Sequence, residues 1–98
     1  MEPSRFPNRL KKYSESLGFT QKEVSHILSL AHSGNISRWE KGYVLPSLIH
    51  LSQLSIQYKT PIDHLYNELW NLLESEIETK NLSLEKEHFI STLNKNMT

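Results

Sequence analysis

A short polar run, Ser33-Gly34-Asn35 with Ser37 and Arg38 after it, holds the side chains with the clearest chemistry in this chain. An Asn carboxamide can make two hydrogen bonds with adenine, and an Arg guanidinium can do the same with guanine. Ser and Gly are small enough to let a backbone approach a groove closely. The run is therefore suited to reading base edges, although an ordinary solvated helix face has the same kind of composition.

The segments around this run read as two short helices. Thr20 and Glu23 form a capping box that predicts the start of one helix. Ser33 is predicted to be the N-cap of the next, whose inward residues are Ile36 and Trp39. Two capped helices separated by a tight interval can present the second one as an exposed rod, and a helix of that diameter fits the major groove of DNA.

Apolar side chains at three- and four-residue spacing predict the inward faces of the remaining helices. They are Phe6, Leu10, Tyr13 and Leu17 on the first helix, Val24, Ile27 and Leu28 on the second, Leu48, Leu51, Leu54 and Tyr58 on the fourth, and Ile62, Leu65, Leu69, Leu72 or Leu73 and Ile77 on the fifth. Gly18 and Gly42 are predicted to end the first and third helices. No segment alternates like a strand, so we predict an all-α fold of five helices through Trp70 and a helical C-terminal extension.

Charge is divided unevenly along the 98 residues, although the net charge is zero. Residues 1–60 carry eight basic and four acidic side chains, and the rest of the chain carries three basic and seven acidic ones. A phosphate-facing N-terminal unit joined to an acidic C-terminal unit would show this asymmetry, as would a dipolar surface without function.

Other chemistry is poorly represented. The absence of cysteine excludes disulfide scaffolds, zinc ribbons, iron–sulfur sites and thiol catalysis. The five histidines include no pair at metal-binding spacing, three glycines form no phosphate loop, and no nucleophile–base pair stands out, so we expect no enzyme, metal or cofactor. No stretch approaches the roughly 20 apolar residues that span a bilayer, and the N-terminus lacks an apolar segment. These features predict a soluble, cytoplasmic protein.

Four segments, taken in order, resemble the lambda-repressor-like helix-turn-helix regulators, the Cro/C1 type or XRE family. They are LGFTQKEV at 17–24, ISRWEKG at 36–42, PSL at 46–48 with Leu51 and Leu54, and PIDHLY at 61–66. The resemblance covers Asn8 to Trp70. It implies a DNA-binding domain in residues 1–70, with residues 71–98 as an acidic helical extension for dimerisation or partner binding.

The resemblance also implies roles for individual residues. Gln21 takes a position that contacts a phosphate and braces the recognition helix. Ser33, Gly34 and Arg38 fall at base-reading positions, with Asn35 and Ser37 beside them. Lys41 and Tyr43 fall where the family contacts the sugar-phosphate backbone through amide or side chain. The predicted DNA-binding residues are Gln21, Lys22, His32, Ser33, Gly34, Asn35, Ser37, Arg38, Lys41 and Tyr43.

The turn before the third helix departs from the family pattern. One residue more than usual separates Leu28 from Ile36, and Ser29 replaces the usual glycine. Because of this extra residue, the roles assigned to residues 32–35 by the resemblance hold to within a shift of one position.

A second departure concerns Glu40. In many family members this carboxylate pairs with a basic residue at the position that Ser14 occupies here. Two partners are open from the sequence: Lys11, one turn earlier on the same face, or backbone amides that Glu40 would cap.

Apolar residues continue past the point where a five-helix core closes, and they need a cover. The last segment can fold back onto them, a second copy can cover them, or both can hold at once, and we favour a homodimer. A monomer whose longer last helix enlarges a thin core is the alternative. The predicted dimer interface comprises Leu69, Leu72, Leu73, Ile77, Phe89, Ile90 and Leu93.

The function predicted from these features is that of a sequence-specific transcription regulator, a repressor that binds double-stranded DNA at an inverted-repeat operator as a homodimer. One alternative is an antitoxin whose C-terminal extension binds a partner protein while the N-terminal part represses its own operon. Another is a protein-interaction module that kept the fold and lost DNA binding.

Overall fold

The computed structural model describes residues 4–96, which form six helices and contain no β-strand. The helices are α1 (Leu10–Ser16), α2 (Gln21–Ile27), α3 (Gly34–Glu40), α4 (Leu48–Tyr58), α5 (Ile62–Leu65) and α6 (Asn67–Asn96). The prediction of an all-α fold with a helical C-terminal extension is confirmed. Residues 1–3 of the predicted DNA-binding domain and residues 97–98 of the predicted C-terminal extension lie outside the described residues.

The first helix begins later than the apolar spacing predicts. Asn8 accepts a hydrogen bond from the Leu10 amide through Oδ1 at 3.0 Å, and α1 begins there, so Phe6 precedes the helix. Gly18 follows the helix with a φ of 78°, a left-handed conformation that glycine adopts without a Cβ penalty. Leu17 is 46% exposed, so its predicted inward position is wrong. It lies at the C-cap, beyond the last residue of α1.

The capping box at the start of α2 is present in full. The Thr20 hydroxyl accepts from the Glu23 amide at 3.1 Å, and the Glu23 carboxylate accepts from the Thr20 amide at 3.0 Å. These hydrogen bonds, the backbone one first, lower the pKa of Glu23. Val24 and Leu28 are buried, whereas Ile27 is exposed and its predicted inward position is wrong. A step of one residue turns a helix by about 100°, which carries Ile27 away from the face that Leu28 buries.

The third helix begins at the predicted place by a different contact. Ser33 occupies the N-cap position, but its side chain makes no capping hydrogen bond. Instead the Gly34 amide donates to Nδ1 of His32 at 3.2 Å. Gly42, with a φ of 75°, follows the end of α3 as predicted. The imidazole thus takes the role that the sequence assigns to the serine hydroxyl.

The fourth helix buries a narrower stripe than predicted. The Ser47 hydroxyl accepts from the His50 amide at 3.2 Å and caps the helix. Leu54 and Tyr58 are buried, but Leu48 is 76% exposed, so its predicted inward position is wrong. Each three-residue step falls about 60° short of a full turn, which places Leu48 about 120° from Leu54 around the helix axis.

The apolar pattern predicted to run through one fifth helix belongs to two helices. Tyr66, with φ −124° and ψ 49°, separates α5 from α6. From Asn67 onward the helix continues for 30 residues, because residues 67–96 contain neither glycine nor proline. The fold-back of the last segment, one of the covers that the sequence leaves open, does not occur, and residues 70–94 of α6 are exposed.

The hydrophobic core lies among α1 to α5 and the start of α6. Its buried members are Leu10, Val24, Leu28, Ile36, Trp39, Leu54, Tyr58, Leu65 and Tyr66. The long α6 gives the molecule principal extents of 68 × 31 × 23 Å. The core therefore fixes α2 and α3 firmly in place and leaves most of α6 standing free of it.

Candidate nucleic-acid interface

The third helix is anchored by its two apolar residues and presents its polar residues outward. Ile36 is 1% exposed and Trp39 is 5% exposed, and α3 packs against α1 and α2. The Trp39 ring also lies 5.2 Å from the imidazole of His50 on α4, centroid to centroid. Arg38 is exposed on the outer side. A seven-residue helix held at two points on its inner side offers a fixed outer surface.

A hydrogen bond between α2 and α3 fixes their relative position. Gln21 Nε2 donates to Glu40 Oε1 at 2.6 Å, and the Ser14 hydroxyl donates to Glu40 Oε2 at 3.4 Å. Lys11 instead forms a 3.9 Å ion pair with Glu15. The expected partners of Glu40, Lys11 or backbone amides, are therefore wrong, while the bracing geometry expected for Gln21 is present.

The predicted base-reading residues lie together at the start and along the outer side of α3. Ser33, Gly34, Asn35 and Ser37 are half-buried, and Arg38 is exposed. Gly34 lies close against the His32 imidazole, since a Cβ at this position would be 2.9 Å from Nδ1. The absence of a side chain at Gly34 lets the imidazole reach the first amide of the helix.

Basic side chains from α2 and from the turn before α3 meet at one surface depression. Lys22, His26 and His32 line it, together with Ser33. Two of the predicted residues, Lys22 and His32, are thus neighbours across the turn. His26 joins them although it was not in the predicted set. Its position four residues after Lys22 on the same helix is the sequence signal that indicates it.

The two residues predicted to hold the DNA backbone follow α3 directly. The Lys41 amide donates to the Ser37 carbonyl at 3.0 Å, and the Tyr43 amide donates to the Arg38 carbonyl at 3.1 Å. Both amides are therefore used inside the protein. Lys41 and Tyr43 were expected to contact a phosphate through the backbone amide or through the side chain, and only the side chains remain available.

Sequence reasoning missed Asn8, which lies against the end of α3. Its Nδ2 donates to the Trp39 carbonyl at 2.8 Å. The local pattern, a short amide side chain two residues before a helix, indicates the contact with Leu10. No local pattern indicates the contact with Trp39, because that contact joins segments far apart in the sequence.

The residues predicted to form a dimer interface do not share one face of α6. Leu69 is partly buried against the core, and the remaining six are exposed. At about 100° per residue, Leu73 and Ile77 lie about 40° apart around the axis, whereas Phe89 lies about 160° from Leu73. The helix thus groups Leu73 with Ile77 and separates both from Leu72, which lies about 100° from Leu73, and from Phe89.

Residues 4–96 bring together no group of three His, Asp or Glu side chains able to hold a metal ion. No helix in the same part of the chain is both long enough and apolar enough to cross a membrane.

Comparison with known proteins agrees with this geometry. The family model described as helix-turn-helix matches residues 10–65, which contain α1 to α5 and every predicted DNA-binding residue. No curated protein matches the chain significantly. A capped α2, a braced α3 with an exposed polar side, and a family match over more than half of the chain lead to one conclusion: the chain belongs to the helix-turn-helix family of lambda-repressor-like, Cro/C1-type DNA-binding transcriptional regulators.

Proposed function

We propose that this regulator is a repressor that binds an inverted-repeat operator as a homodimer and reads bases with α3. The observation that carries the proposal is the two-sided character of α3, with Ile36 and Trp39 buried and Arg38 exposed. Base contacts come from Ser33, Gly34, Asn35, Ser37 and Arg38. Phosphate contacts come from Gln21, Lys22, His32, Lys41 and Tyr43, and they set the register in which the bases are read.

The proposed dimer forms through a stripe that begins on the proximal half of α6, which we call the proximal seam: Trp70, Leu73, Ile77 and Leu84. These side chains are 47% or more exposed and recur at three, seven and fourteen residues from Trp70, so they lie on one face. Burying them against the same stripe of a second copy removes apolar surface from water. The seam includes Leu73 and Ile77 of the predicted interface and adds two residues that continue it.

The charges around the seam fit a position away from DNA. Glu68, Glu74, Glu76 and Glu78 all lie on the proximal half of α6. Carboxylates close to phosphates repel them, whereas a two-fold axis through α6 keeps this charge distant from the grooves. Two recognition helices on such an axis must be spaced by about 34 Å to enter successive major grooves on one side of the duplex.

Repression follows from occupancy alone in this proposal. A dimer seated on an operator that overlaps a promoter blocks polymerase, and no catalytic step is required. In this proposal the protein acts on DNA in the cytoplasm.

The test of the dimer compares two double variants on opposite faces of α6. Leu73→Asp with Ile77→Asp is expected to give a helical monomer that binds a full palindromic operator only as weakly as a half-site. Leu82→Asp with Phe89→Asp, the matched control, changes the same charge and leaves the dimer intact. Sedimentation showing a dimer in the first variant, or a monomeric wild-type protein at high concentration, would contradict the proposal.

A second candidate function, that of an antitoxin, is favoured by the distal half of α6. Leu82, Phe89 and Leu93 are exposed and fall within about 40° of one another around the axis, on the side opposite the proximal seam. One two-helix seam cannot cover both stripes, so a partner protein is a candidate for the distal one. Co-expression with the product of a neighbouring gene tests it: a complex abolished by Phe89→Asp and Leu93→Asp supports the antitoxin, and no complex in the wild-type protein contradicts it.

A further inference from the structure

The segment before α1 is held against the carboxyl end of α3. The amides of Arg5 and Phe6 both donate to the Gly42 carbonyl, each at 3.0 Å. The Asn8 side chain donates to the Trp39 carbonyl at 2.8 Å. Residues 5–8 are therefore attached at three points to the end of the proposed recognition helix and the turn after it.

Asn8 organises this attachment. Its Nδ2 also donates to the Phe6 carbonyl at 2.9 Å, while its Oδ1 accepts from the Leu10 amide and starts α1. The next amide, that of Arg9, donates to the Leu65 carbonyl at 2.8 Å. The segment is thus fixed relative to both α1 and α3, and an exposed side chain on it has a defined place on the surface.

The turn to which Arg5 is bonded is the one proposed to hold DNA phosphates. Gly42 stands between Lys41 and Tyr43, and Arg5 is exposed. The only acidic residue of α3 is Glu40, and its carboxylate accepts hydrogen bonds from Gln21 and Ser14. Arg5 thus adds a second cationic residue beside the turn that carries Lys41, and the carboxylate of α3 is already hydrogen-bonded.

The chemistry of the guanidinium suits this place. Its planar fork of donors binds two phosphate oxygens at once and remains charged at all working pH values. The carboxyl end of a helix carries a partial negative charge, so phosphate binding there depends on added cations rather than on the helix itself. Lys41 is one such cation, and Arg5, whose amide is bonded to the residue after Lys41, is a second.

We propose that Arg5 contacts a DNA phosphate and that Asn8 is its positioning residue. The inference rests on the proposed mode of DNA binding and extends it, since Arg5 and Asn8 both precede residues 10–65 that match the family. The phosphate footprint of each protomer then includes the N-terminal segment as well as the helix-turn-helix pair.

The test measures binding of the full chain to a random-sequence duplex over a range of salt concentrations. Arg5→Gln is expected to weaken binding several-fold and to reduce the slope of log K against log salt by about 0.9 per protomer. Lys86→Gln removes the same charge from the exposed distal half of α6 and is expected to leave the slope unchanged. A slope for Arg5→Gln equal to that of the wild type would overturn the inference.

A second variant tests the positioning role of Asn8. Asn8→Ser keeps an oxygen that can accept from the Leu10 amide and loses both Nδ2 hydrogen bonds. We expect it to reduce the slope as Arg5→Gln does while circular dichroism stays helical, and we expect the double variant to bind no more weakly than Arg5→Gln alone. Additive losses would show that Asn8 does not act through Arg5, and unfolding of Asn8→Ser leaves the Arg5→Gln result decisive.

The same titration separates this inference from the proposed function. If Lys41→Ala reduces the slope and Arg5→Gln does not, the inference is wrong and the proposed interface stands. If neither variant changes the slope, the turn after α3 does not contact phosphates and the proposed interface itself is wrong.

Discussion

Gln21, the first residue of α2, donates a 2.6 Å hydrogen bond from Nε2 to the carboxylate of Glu40, the last residue of α3. The bond joins the two helices of the helix-turn-helix pair at the end of α3 that lies farthest from their connecting turn. Together with the buried Ile36 and Trp39, it limits rotation of α3 about its own axis. The angle at which α3 presents Arg38 depends on this contact.

Removing this hydrogen bond tests how much it contributes to the free energy of unfolding. Gln21→Ala is expected to lower the free energy of unfolding by about 1 kcal/mol, because a hydrogen bond to a charged acceptor on an exposed site is lost. Chemical denaturation followed by circular dichroism measures it. Lys22→Ala, on the neighbouring exposed position, is the control and is expected to change the free energy by less than about 0.5 kcal/mol. Equal effects of the two variants would show that the hydrogen bond between Gln21 and Glu40 does not stabilise the fold.

The turn between α2 and α3 contains a residue in a conformation that costs energy. Ser29 has a φ of 59°, in the left-handed region that favours glycine. Ser29→Gly is expected to raise the free energy of unfolding by roughly 0.5 to 1 kcal/mol, since relief of the strain exceeds the added entropy of the unfolded chain. Ser52→Gly, within α4, is expected to act in the opposite direction. Destabilisation by both variants would show that Ser29 makes a compensating contact.

Much of the fold follows from interactions between residues close in the sequence. The Thr20–Glu23 capping box and the glycine turns after α1 and α3 were predicted because each depends on residues within one helical turn. The inward residues of α3, Ile36 and Trp39, were predicted from their three-residue spacing, which is also a local pattern, and both are buried.

The incorrect predictions concern which part of the folded chain packs against a given side chain. Leu48 and Ile27 carry apolar side chains at plausible spacing, but the core meets only a narrow arc of each short helix. The pairing of Glu40 with Gln21, and of Asn8 with Trp39, depends on how separate segments pack. Local spacing contains no information about such partners, and the continuity of α6 past residue 80 reflects the absence of a breaking residue rather than an apolar pattern.

The buried tyrosine of α4 predicts a specific loss of stability in alkali. Burial, with the neighbouring Glu40 carboxylate adding to it, raises the pKa of Tyr58 from 10.0 to about 12. The unfolded chain therefore ionises first, so this contribution to stability is complete below about pH 10 and is lost as the pH rises to about 12. Tyr58→Phe is expected to flatten the decline in unfolding free energy over that range. An equally steep decline in the variant would contradict the assignment.

Tyr66 extends the same test. Burial also raises its pKa. The double variant Tyr58→Phe with Tyr66→Phe is expected to flatten the alkaline decline further than Tyr58→Phe alone, measured by urea unfolding at stepped pH. A double variant no flatter than the single one would show that Tyr66 ionises alike in the folded and unfolded chains.

Lys41 provides the test of a phosphate contact within the family-matched region. Lys41→Ala is expected to weaken binding to specific and random duplexes by the same factor and to reduce the salt slope by about 0.9 per protomer. Lys86→Ala, on the distal half of α6, serves as the control for charge. A loss confined to one sequence would place Lys41 among the base-reading residues and shift the register of the interface.

The most direct measurement is the base preference of Arg38→Ala, determined by selecting duplexes from a randomised pool with the wild-type protein and with the variant. If α3 reads DNA in the major groove, the variant loses about 1 to 3 kcal/mol of specific binding and its preference at one base pair of each half-site, while its affinity for random DNA changes far less. An unchanged preference at every position, with unchanged affinity for the selected duplex, would contradict the claim that the exposed side of α3 is the reading surface.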